Sequence, residues 1–242
     1  MSGERMRRLD AGGTLLPRPD PAERPRLARK AWLWGEFIAV FVGTPLLLTW
    51  LVFEQRLPLF VALQPVLIAF VAYLLWDDSF RLKSELAKDF AFTHLVGILL
   101  LFALAAAIVA WLVQTYMPAQ YLAFPRQRTR TWQFVMIAYP LLSVVTQELV
   151  FRTFFFHRYG PLFGRHRWLA ILLNGAAFGF AHIIFGNWVA VVGTAALGIL
   201  LAWRYTATHS FWAVWLEHTL YGWLVFTVGL GGFFFTGIDR VG

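Results

Sequence analysis

Apolar residues along this chain run in long blocks separated by short polar breaks. The blocks fall at 31–53, 59–76, 90–117, 131–156, 168–185, 188–205 and 211–230. Each comes near or exceeds the roughly 20 residues that a helix needs to cross a bilayer. A backbone in hydrocarbon must satisfy its own hydrogen bonds, so blocks of this length predict helices. The expected fold class is therefore all-α, a polytopic helical membrane protein with about seven (six to eight) transmembrane helices. Glu54-Gln55-Arg56-Leu57-Pro58 reads as a tight turn that makes a hairpin of the first two spans. The mixed charges at 77–89 predict an amphipathic helix at the membrane surface. Residues 118–130, with Pro125 and three Arg, read as a loop, and 158–167 (RYGPLFGRHR) as a basic loop stopped by Gly and Pro.

Composition narrows the picture. The 242 residues are 59% hydrophobic and only 14% charged, with a mean hydropathy of +0.62, far more apolar than a soluble domain of this length. The net charge is +8, but Lys and Arg lie between the apolar blocks and form no basic face, so no nucleic acid is expected as a partner. They read instead as topology determinants and contacts to anionic lipid. Residues 1–30 carry eight Lys and Arg among Pro and Gly and predict a basic, disordered cytoplasmic tail without the pattern of a signal peptide. Residues 31–242 are then one transmembrane helical domain. With the N-terminus inside, alternation over seven spans puts the basic segments 77–89, 157–167 and 204–210 in the cytoplasm; Arg126, Arg128 and Arg130 run against this bias. There is no Cys, which removes disulfides, thiolate metal sites and cysteine nucleophiles.

Few polar residues fall at membrane depth: Gln147, Glu148, Arg152, Asn174, His182, Glu217 and His218, with His94 and Gln114 in the third block. Glu148 and Arg152 are four apart and share a helix face, where they can neutralise each other. An unpaired ion there costs from about 2.5 to more than 10 kcal/mol, so such groups turn inward and mark functional sites by default. His182 follows a surface of small residues (Gly175, Ala176, Gly179, Ala181) that permits close helix packing. A carboxylate and two imidazoles on three helices are the parts needed to deprotonate a water and stabilise an oxyanion. The same set makes an open zinc site, although no H-E-x-x-H pair supports it. Each His taken singly is equally well a structural hydrogen-bonding group, and Glu148–Arg152 alone fits a pair that fixes packing; His94 and His157 lie near the interfaces and read as structural.

Three motifs in order then resemble the CAAX protease and bacteriocin-processing enzymes, the Abi or CPBP family of glutamic intramembrane proteases. Gln147-Glu148-Leu149-Val150-Phe151-Arg152 matches E-E-x-x-x-R, Phe178 to His182 matches F-x-x-x-H, and His218 matches the His of H-x-x-x-N. The motif-bearing core is 131–222. The resemblance implies a divergent intramembrane endopeptidase of the bacterial inner (plasma) membrane, without a cofactor, acting on a membrane-associated protein or peptide substrate. It implies that the first motif's leading glutamate and the second motif's His activate water while the third motif's His and Asn form the oxyanion site. For this chain the expectation is that Glu148 with His182 activates water, that His218 stabilises the oxyanion and that Arg152 orients Glu148. Two positions depart from the pattern. Gln147 replaces the leading glutamate, and an amide is no general base; Gly222 replaces the Asn. Either Glu148 takes over as base, or the chain is an inactive member serving as an immunity, scaffolding or regulatory membrane protein. A transporter would also use intramembrane charges, but no inverted repeat or pair of broken helices is present to support one.

Overall fold

The computed structural model describes residues 27–57, 59–76, 86 and 88–234. Nearly all of the expected basic tail, most of the expected amphipathic segment at 77–89 and the chain beyond 234 lie outside the described residues. All seven apolar blocks are helical, and no strand occurs among the described residues. Helix α1 runs through Leu27–Ile38, a π turn at Ala39–Gly43, and Thr44–Phe53. Its first four residues, 27–30, belong to the expected tail. Then come α2 (Leu59–Trp76), α3 (Phe92–Tyr116), the short α4 (Ala123–Gln127) inside the expected loop, α5 (Thr129–Phe163), α6 (Arg167–Ala181), α7 (Trp188–Thr208) and α8 (Phe211–Val228). Five of these, counting α6 with its 3-10 extension to Phe185, are long and apolar enough to cross a membrane. Of the other three, α4 has only 5 residues, and α2 and α8 have 18 each, α8 being made less apolar by Glu217, His218 and three Trp.

Polar side chains at the helix ends show that successive helices alternate in direction. At one end of the bundle, Glu36 of α1 takes two hydrogen bonds from Arg158, at 2.9 and 2.7 Å, and one from Tyr159 at 2.9 Å. Arg167 at the start of α6 reaches Thr206 near the end of α7. Ser210 and Trp212, entering α8, donate to the carbonyls of Lys88 and Leu86 ahead of α3. The other end holds the 54–57 turn, α4, the Gly186-Asn187 corner, and residues 229–234, where Asn187 donates to the Phe233 carbonyl.

Residues 158–167 do not form the loop their Gly and Pro suggest. Helix α5 continues to Phe163 with Pro161 inside it, although an interior Pro forfeits a hydrogen bond and costs about 3 kcal/mol or more. Packing outweighs that cost. Tyr159 and Phe163 are buried, Tyr159 against the rings of Phe37, Phe41 and Phe155, while Arg158 is tied to Glu36. The break is confined to Gly164–His166, with Gly164 at φ +54°.

Helices α6 and α7 approach most closely, as the small-residue surface before His182 requires. A methyl built on Gly179 would stand 2.6 Å from Ala195 Cβ and 2.7 Å from the Val191 carbonyl oxygen. That obstacle includes backbone, so the helices would have to part. We expect Gly179→Ala to destabilise the protein by about 1–3 kcal/mol, read as a lower Tm in detergent. Gly193→Ala on the same helix pair, where an added methyl meets nothing within 4 Å, should melt like the parent.

Candidate active site

Glu148 closes a single α-helical turn, Val145–Glu148, flanked in α5 by π turns at Tyr139–Val144 and Leu149–Phe154. Such widened turns re-aim side chains and cluster at functional sites. Their backbone is repaired from neighbouring helices. Pro140 has no N–H to offer the Met136 carbonyl four residues back, and Trp223 of α8 donates to that carbonyl at 2.8 Å. Trp215 donates to the Pro140 carbonyl at 2.9 Å. Asn174 of α6 donates to the Phe151 carbonyl within the second π turn.

The Glu148 carboxylate is fully buried, and so is the Arg152 guanidinium one turn on. Arg152 Nε lies 3.3 Å from Glu148 Oε2, the i,i+4 pairing that the sequence spacing predicts. Arg152 also donates to the Gly198 carbonyl of α7 at 3.3 Å and lies 4.5 Å above the Phe178 ring of α6. The other carboxylate oxygen, Oε1, is 2.6 Å from His218 Nδ1 of α8. Across the imidazole, His218 Nε2 is 3.0 Å from the Tyr139 hydroxyl. His182 also packs on Phe178, whose ring centroid is 4.7 Å from the His182 ring and 5.6 Å from the His218 ring. His182 Nδ1 is 2.7 Å from the Phe178 carbonyl. A carbonyl only accepts, so Nδ1 carries the proton and a neutral His182 keeps its basic lone pair on Nε2.

Arg152, His182 and His218 thus all pack on one phenylalanine ring, and Glu148 is paired with two of them. The hydrogen-bonded partner of Glu148, however, is His218, whereas the motifs pair it with His182. Gln147 is engaged elsewhere, its amide nitrogen donating to Ser143 Oγ at 2.7 Å. Its Oε1 is buried without a protein partner, as are Arg152 NH1 and Asn174 Oδ1. Glu217, next to His218, is held by Arg204 in a two-point ion pair at 2.8 and 3.0 Å. Sequence spacing did not disclose that pair, nor Tyr139. The hint to Tyr139 was Gly222 itself, a bare position one helical turn beyond His218 where another helix can come close. Among the described residues no group of three or more His, Asp or Glu side chains is arranged as metal ligands.

Removing one partner from a buried ion pair leaves the other charge uncompensated, at about 3–5 kcal/mol. Arg152→Met should therefore lower the detergent Tm sharply. Adding Glu148→Gln, which removes the stranded charge, should restore much of the loss. Equal melts for the single and double variants would show that Arg152 contributes packing rather than charge.

Residues 128–224 match the family model for type II CAAX prenyl endopeptidases, Rce1-like. The match takes in α5, α6, α7 and most of α8, and with them every side chain of the cluster. No curated protein and no solved structure matches the chain. Over residues 128–224 the chain is thus similar to the Rce1-like family of CAAX prenyl endopeptidases.

Proposed function

We propose that this protein is an intramembrane endopeptidase, hydrolysing a peptide bond of a membrane-associated protein or peptide by water activation on a Glu/His pair. The observation that carries the reading is a buried Glu148, bonded to His218 and charge-paired with Arg152, beside a His182 whose basic nitrogen is Nε2. His182 Nε2 takes a proton from water as the water oxygen bonds to the carbonyl carbon. The carboxylate of Glu148 favours the imidazolium that forms. When the C–N bond breaks, His182 returns the proton to the leaving amine. Arg152 and His218 hold Glu148 in place throughout. The name of the matching family makes prenylated C-terminal CAAX peptides the first substrates to test.

The same reading places the chain in the bacterial plasma membrane as one transmembrane domain, 31–242, with its core at 131–222 and the basic tail 1–30 in the cytoplasm. Support comes from the alternating helices, which bring 88–89, 158–167 and 204–210 to one end of the bundle, where basic residues favour the inside.

A second reading is a catalytically inactive member that binds a partner. It is favoured by Gln147, whose amide is engaged with Ser143. A library of farnesylated CAAX peptides, incubated with the detergent-purified protein with and without chelator, separates the two. We expect chelator-insensitive cleavage, with kcat/KM reduced about 10²–10⁴-fold in both Glu148→Gln and His182→Ala. Unimpaired cleavage by both variants would defeat the mechanism. A silent parent that gains activity on Gln147→Glu would establish the inactive reading.

A further inference from the structure

The Tyr139–His218–Glu148 chain is graded in exposure. Glu148 is 0% exposed and His218 3%, whereas Tyr139 is half-buried. Both nitrogens of His218 are taken, Nδ1 by Glu148 and Nε2 by Tyr139. The His218 ring therefore has no N–H left to offer a substrate. An ionised Glu148 accepts from Nδ1–H, which makes Nε2 of a neutral His218 the acceptor and the Tyr139 hydroxyl the donor. The outermost group of the chain is a phenol.

The position of that phenol is built into two elements. On its own helix, Tyr139 opens the first π turn. Opposite it, Gly222 leaves room for the ring: a methyl added there would lie 2.1 Å from Tyr139 Cε1, 2.5 Å from Cζ and 2.6 Å from the hydroxyl oxygen. Any side chain at 222 would expel the ring. Phe226, one turn further along α8, packs edge-on against it at 5.3 Å. The glycine that departs from the H-x-x-x-N pattern is thus the floor on which Tyr139 rests.

We propose that the Tyr139 hydroxyl is the hydrogen-bond donor to the substrate carbonyl oxygen as that oxygen becomes an oxyanion; this rests on the endopeptidase reading. In the resting site the hydroxyl hydrogen lies on His218 Nε2. As water attacks, the C=O π electrons move onto oxygen, the water proton passes to His182 Nε2, and the Tyr139 hydrogen turns toward the oxyanion without leaving its own oxygen. A neutral hydrogen bond is exchanged for a charge-assisted one. The exchange is favourable only while the negative charge exists, so it accelerates the reaction without tightening substrate binding.

The test compares wild type with Tyr139→Phe, which keeps the ring and removes the hydroxyl. Two readouts are taken: steady-state cleavage of a farnesylated CAAX peptide, and binding of three analogues carrying a phosphinate at each bond of the CAAX tail. We expect kcat to fall about 10²–10³-fold, the size of losing one oxyanion donor, with KM changed less than threefold and the Tm preserved. One phosphinate should bind wild type more tightly than the parent peptide does, and Tyr139→Phe should lose that preference. Cleavage by wild type with Tyr139→Phe within threefold in kcat and unchanged in phosphinate affinity overturns the role of Tyr139 alone. A wild type that neither cleaves nor prefers any phosphinate overturns the endopeptidase reading and this proposal together.

Discussion

A carboxylate buried among apolar helices must be met by charge and hydrogen bonds from several directions, and Glu148 sets this requirement for the whole bundle. Its two oxygens are met by Arg152 on its own helix and by His218 on α8. Arg152 in turn reaches the Gly198 carbonyl of α7 and lies over Phe178 of α6. One buried charge therefore ties four helices to a common point. Bringing an unpaired ion to bilayer depth costs several kcal/mol, so an arrangement of these helices that separates the partners is strongly disfavoured.

The neighbouring pair shows what a purely structural solution looks like. Arg204 addresses both oxygens of Glu217 at 2.8 and 3.0 Å, the planar two-point match at which arginine excels. Glu148 receives no such match. Its nearest guanidinium nitrogen is 3.3 Å away and not aligned for a hydrogen bond, and its short bond goes to an imidazole, a group able to gain and lose a proton. Two glutamates at similar burial thus have different characters: Glu217 is a fastening, and Glu148 is coupled to a titratable partner. That difference supports assigning the chemistry to Glu148.

The sequence disclosed what depends on near neighbours. Apolar blocks located the helices, because length and hydropathy suffice for a backbone that must satisfy itself in lipid. The i,i+4 spacing of Glu148 and Arg152 disclosed their pairing, and the small residues before His182 the close approach of α6 and α7. Longer-range terms decided the rest. Pro161 and Gly160 argue for a loop on local grounds, yet the helix persists because Tyr159 and Phe163 are buried and Arg158 meets Glu36, 122 residues away. The hydrogen bond between His218 and Glu148 has the same long-range origin. His182 is held by a carbonyl of its own helix, whereas His218 is brought from 70 residues away by the packing of α8 on α5.

What fixes that packing is a set of backbone defects in α5. Pro140 denies the Met136 carbonyl its usual donor, and in an apolar bilayer an unpaired carbonyl is costly. Trp223 supplies the missing donor, and Trp215 binds the Pro140 carbonyl two turns earlier along α8. Residues 215, 218 or 219, 222 and 223 recur along one helix face, so fastening α8 at both Trp positions sets the register of His218 and Gly222 between them. Sliding α8 by one turn would break both tryptophan bonds and carry His218 about 5.4 Å from Glu148. The proline and the π turns that look like flaws in a membrane helix are thus what aligns the two helices, and the Glu148–His218–Tyr139 chain lies where their alignment is most tightly held.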